Sequence, residues 1–181
     1  MEAKIYKAFI ASPSDTNRER DISEKIFNEI NSGLGHIYNF RIESLKWEND
    51  VRPSIQNKDG QSIIFNQIGD EYEIFIGIMN KKFGAPTPRA GSGTEEEFES
   101  AFNRYNQHKD VEVMFYFNDE PPKSMSEINA SEWIKITYFK KRLQPLGIYG
   151  QYNGVLDFEE KLRKHLSKFF IDEYKKKMKP L

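Results

Sequence analysis

The stretch "YEIFIGIM", residues 72–79, decides the fold. A strand with water on one side alternates apolar and polar residues. This stretch is almost continuously apolar, so it predicts a strand covered on both faces. "VEVMFYFN" (111–118) reads the same way. Strands of this kind lie inside parallel sheets whose helices pack on both sides.

The neighbouring stretches supply those helices and the remaining strands. "IYKAFIA" (5–11) is a first strand, broken by "SPSDT". A helix follows from about Thr16, with Ile22, Ile26, Phe27 and Ile30 on one face and a stop at Gly33. "YNFRIESLKW" (38–47) alternates as a second strand, with Tyr38, Phe40 and Ile42 on one side. A loop over 48–60 and a short helix over 61–70 lead to the 72–79 strand. Beyond it run a long loop (80–93), a helix to about Gln107, the 111–118 strand and a loop over 119–130. A helix over 131–143, a short last strand over 147–152 and a closing helix over 158–177 complete the chain. Phe98, Ala101, Phe102 and Tyr105 form the inner face of the helix before 111; Phe158, Leu162, Leu166, Phe169 and Phe170 form that of the last. This alternation predicts an α/β, flavodoxin-like doubly wound parallel sheet of about five strands in a single domain, 1–181.

Composition narrows the chemistry. The 181 residues carry a net charge of −1, so no global field draws the chain to nucleic acid. Absence of Cys excludes a disulfide scaffold, a thiolate nucleophile and a Cys zinc site, and suits a reducing cytoplasm. No signal peptide or membrane span is legible, so the sequon at Asn129 carries little weight. Neither GxGxxG nor GxxxxGK[ST] occurs. His36, His108 and His165 lie near helix ends or on mixed faces, and no metal spacing is visible. The basic end "KKKMKPL" (175–181) suits a helix C-terminus and is compatible with a longer parent protein or a fused C-terminal domain.

In doubly wound sheets, ligands bind beyond the carboxyl ends of the strands. Three loops qualify: those after the first, second and third strands. Ser12, Ser14 and Asp15 in the first either shape a turn or hold phosphate oxygens at a helix start. Trp47 ends the second strand, as a base-stacking platform or a rim Trp. Phe83 and Gly84 open the 14-residue third loop, where Gly84 supplies an unusual backbone angle. "TEEE" (94–97) admits two readings. Thr94 as N-cap and Glu97 three residues on form a capping box, with Glu95, Glu96 and Glu99 toward solvent. Alternatively Glu97, on the border of the apolar face, meets a substrate. A fixed, ionised carboxylate suits an oxocarbenium-like transition state. Nicotinamide leaves NAD as a neutral molecule, so one carboxylate suffices without a general acid.

"AFIASPSDTNRERD" (8–21), "EIFIGIMNKKFGAPT" (73–87) and "GSGTEEEFESAF" (91–102) together resemble the SPSD-type domain of unknown function, related to Toll/interleukin-1 receptor (TIR) domains. The likeness runs from about residue 4 to 118, with a weaker echo beyond. It implies a flavodoxin-like fold, NAD as substrate rather than cofactor, and a role in bacterial defence or cell death. It also implies self-association. In TIR enzymes the catalytic glutamate lies in a "WxxxELxxA"-like context. "EFESA" (97–101) matches its second half and puts Glu97 at that position, while Gly93 stands where the Trp would be. "GTEEEFESA" (93–101) also resembles the "GTxxExGxA" of nucleoside deoxyribosyltransferases, with Glu99 in place of a glycine. Both resemblances imply N-glycosidic cleavage at Glu97; the loop positions Ser12, Ser14, Asp15, Trp47, Phe83 and Gly84, with Thr94, are the expected substrate contacts. A non-catalytic TIR-like interaction module is the alternative, because one fold carries both jobs.

Overall fold

The computed structural model describes residues 3–45 and 71–178. Trp47 and the loop and helix expected over 48–70 lie outside the described residues. Five strands form one parallel sheet in the order β2-β1-β3-β4-β5. They are β1 (Lys4–Ala11), β2 (Phe40–Leu45), β3 (Ile74–Met79), β4 (Glu112–Asn118) and β5 (Gly150–Tyr152). The helices are α1 (Asn17–Ile30), α2 (Gly93–His108), α3 (Ala130–Leu143) and α4 (Gly154–Met178). This is the flavodoxin-like order, and its direction reverses between β1 and β3.

The apolar run at 74–79 is central, as its composition demands. All six residues of β3 are buried. Successive side chains leave a strand on opposite faces, so Ile74, Ile76 and Ile78 join α1 and α4 through Ile26, Phe27, Phe158 and Leu162. Phe75 and Met79 pack on the other face with Phe98 of α2 and Phe139 of α3. Gly77 falls on that second face by the same alternation, and Phe115 fills the space a side chain would need: a Cβ there would lie 2.2 Å from the Phe115 ring. Edge strand β2 alternates buried and exposed residues over its first four positions.

Five expectations need correction. The first helix does not stop at Gly33. It winds on through a π turn, Asn31–Gly35, and a helical turn, His36–Tyr38, and ends where Asn39 turns left-handed at φ 55°. Asn31 holds that extension against β2, donating to the Ile42 carbonyl at 2.9 Å and accepting from its amide at 2.7 Å. Tyr38 is therefore helical, outside the second strand. Tyr105 is exposed on α2, where Lys109 covers its ring at 3.9 Å. The closing helix begins four residues before Phe158, at Gly154, and the last strand holds only its final three expected residues.

Candidate functional site

Where the sheet order reverses, the carboxyl ends of the strands open onto a crevice of about 1180 Å³. The β1–α1 turn supplies Ser14 and Asp15, and the first turn of α1 Arg18 and Glu19; the segment after β3 supplies Asn80, Lys81, Lys82 and Gly84. Polar side chains tie the strand ends together. The Asn118 amide donates to Asn80 Oδ1 at 2.7 Å, and Asn118 Oδ1 accepts the amides of Glu120 (3.0 Å) and Gly154 (3.2 Å).

The sequence-expected residues divide. Ser14, Asp15 and Gly84 line the crevice. Asp15 Oδ2 accepts the amides of Lys81 (2.9 Å) and Lys82 (3.0 Å), joining the two loops, while its Oδ1 is buried without a hydrogen bond. Gly84 has φ +104°, the left-handed geometry that favours glycine. Ser12 is a structural anchor. Its Oγ accepts from Arg20 Nε at 2.7 Å, and its carbonyl from Arg20 Nη2 at 2.8 Å. Phe83 is buried in the aromatic cluster of α2 and α3, edge-on to Phe139. Its amide donates to Glu132 Oε2 at 2.6 Å, and that contact first, then the Lys135 ammonium, holds the Glu132 carboxyl below the usual glutamate range.

The cap of α2 also differs from the expected box. Ser92, not Thr94, is the N-cap, and its Oγ accepts the Glu95 amide at 3.1 Å. Ser92 is fully buried and extended, so the helix starts ahead of Thr94 and the box shifts by two residues. Glu95 Oε2 then reaches back to the Gly91 amide at 2.7 Å. Glu95 and Glu96 are buried rather than solvent-facing, each 9% exposed. Arg142 pairs with Glu95 and Glu99, and Arg89 with Glu96. Thr94 sits buried inside the first turn. Glu97 is half-buried and takes no part in the cap. It is not among the residues that line the crevice. Seven residues separate it from Arg104, so the two share a flank of α2.

The crevice is also lined by Glu19, which the sequence reading missed and which a fully buried tyrosine backs from the core. Glu19 is 3% exposed, and its Oε1 accepts the Tyr152 hydroxyl at 3.0 Å. Burial, and then Glu19 itself, push the Tyr152 phenol far above its ordinary range, so it remains a donor. The available signal was "TNRE" (16–19), a second capping-box pattern. Among the described residues no cluster of three His, Asp or Glu forms a metal site, and no helix is long and apolar enough to cross a membrane.

The chain belongs to the family described as Domain of unknown function (DUF4062), which matches residues 7–167. No curated protein matches the chain.

Proposed function

We propose that this DUF4062 domain is a TIR-like enzyme that hydrolyses the nicotinamide N-glycosidic bond of NAD, as an effector in bacterial defence or cell death. The observation that carries the reading is the crevice at the switch point of the parallel sheet, the place where doubly wound folds hold nucleotides. The crevice supplies the binding half and Glu97 the reacting carboxylate. The nicotinamide ribose must then extend from the crevice toward the flank of α2 that bears Glu97. As the C–N bond breaks, its electron pair leaves with neutral nicotinamide. Glu97 stabilises the ribosyl cation until water adds, giving ADP-ribose and a proton. The test is nicotinamide release from NAD by concentrated protein, beside Glu97→Gln. Release by the parent and loss in the variant are expected. Equal release sinks the role of Glu97, and no release even from forced oligomers sinks the activity.

A second reading, an interaction module, is favoured by the outer face of α3. Trp133 (64% exposed), Ile134 (51%) and Tyr138 (68%) are large apolar side chains left in solvent there. It predicts association that rises with concentration, without NAD turnover, and that Trp133→Ser disperses. A monomer that still turns NAD over counts against it.

A further inference from the structure

We propose that Glu19 is a ribose-binding residue. The crevice would take a ribonucleoside diphosphate moiety, its ribose hydroxyls on Glu19 and its phosphates among the cations at the rim. The inference shares the nucleotide reading above but not cleavage by Glu97.

Glu19 is the third residue of α1, where "TNRE" predicts that it turns back to the amide of Thr16. Neither half of that box forms. The Thr16 hydroxyl donates to the Pro13 carbonyl at 2.7 Å and caps nothing. Glu19 turns instead to the crevice, held among the described residues by one neutral donor, the Tyr152 hydroxyl. Its Oε2 accepts no hydrogen bond from the described residues, and neither does the buried Asp15 Oδ1 on the same wall. A carboxylate this deeply buried ordinarily has a cation or several donors around it. The missing donors are what a ligand would bring.

The ligand must therefore offer hydroxyl or amino donors at the floor. The rim carries Glu120 beside three cations, so cationic charge is in excess there. The side chains of Arg18, Lys82 and Lys123 line the crevice and make no hydrogen bond or ion pair among the described residues. A molecule with donors at one end and anionic oxygens at the other satisfies both. A ribose diol joined to phosphates has that form, and carboxylates recognise ribose hydroxyls in dinucleotide-binding α/β folds.

Calorimetric titration with ADP, 2′,3′-dideoxy-ADP and adenosine tests this directly. The parent should bind ADP roughly tenfold or more tightly than the dideoxy analogue, the loss expected when a charged acceptor is left unmet. Glu19→Gln should erase that ratio. Lys82→Ala, an exposed change, should weaken ADP but not adenosine, and keep the ratio. Should Glu19→Gln fail to fold, Tyr152→Phe replaces it and should reduce the ratio. A parent that ignores the diol, a Glu19→Gln protein that retains the ratio, or no ADP binding at millimolar concentration overturns the proposal. So does magnesium binding without nucleotide that Glu19→Gln removes. Diol discrimination without NAD cleavage supports this inference and sinks the proposed hydrolase. Cleavage without discrimination does the reverse.

Discussion

The starts of α1 and α2 pose the same local problem and solve it differently. Each helix follows a strand at the switch point, and each places a buried glutamate at its third position, Glu19 and Glu95. Glu95 is saturated: the Gly91 amide holds one oxygen and Arg142 the other. Among the described residues Glu19 has a single neutral partner, the Tyr152 phenol. A third helix, α3, falls between them. Asn129 caps it, and its third residue, Glu132, is spent on the Phe83 amide and on Lys135 at 3.2 Å. Folding is therefore served by Glu95 and Glu132, whereas Glu19 leaves an acceptor for something else. Position in a helix does not make a carboxylate functional; the donors left unsupplied do.

The comparison breaks if the saturated carboxylate proves dispensable. Glu95→Ala removes the partner of a backbone amide and of Arg142, so it should cost about 2–3 kcal/mol in urea unfolding. A loss below half a kilocalorie per mole would place Glu95 with Glu19. Ser92→Ala should cost about 1 kcal/mol, because it removes an N-cap acceptor. Circular dichroism melts that match the parent would mean that Thr94 takes over the cap, returning Glu97 to the box. By contrast, Glu19→Gln should hold stability within about 0.5 kcal/mol of the parent or raise it, since it neutralises a buried charge with little compensation.

Acid offers the mildest probe. Glu132 has its pKa lowered in the folded protein, so its contribution is complete above the ordinary glutamate range. It is lost as pH falls from that range through the lowered value. Hydrogen exchange at the Phe83 amide should accelerate in that window, and Glu132→Gln should exchange quickly at neutral pH. Unchanged protection would mean that the clamp does not hold the long loop.

Most of the fold was legible because burial on two faces leaves a plain mark: unbroken apolar strands between helices of period 3.6. Gly33 misled because a glycine permits a stop without imposing one; the side chain of Asn31, bonded to Ile42, decides where the chain turns. The candidate site was legible in part. Ser14, Asp15 and Gly84 follow from the rule about strand ends. The box at 94–97 failed because Ser92 and Thr94 offer the same hydroxyl two residues apart, and burial of Ser92 chooses between them. Glu19 carried a visible motif, but its partner Tyr152 lies 133 residues along the chain, a distance that local spacing does not span.

Gly77 has a consequence for how this sheet can change over generations. Phe115 is its partner in the β3–β4 register and lies across the space that a Cβ would need. The two sites are thus one allotment of volume divided unequally. A sequence that gains a side chain at 77 must surrender one at 115, and each change made first leaves either a clash or a void. Substitution at these positions is accordingly expected in pairs, with Gly77→Ala rescued by a smaller residue at 115.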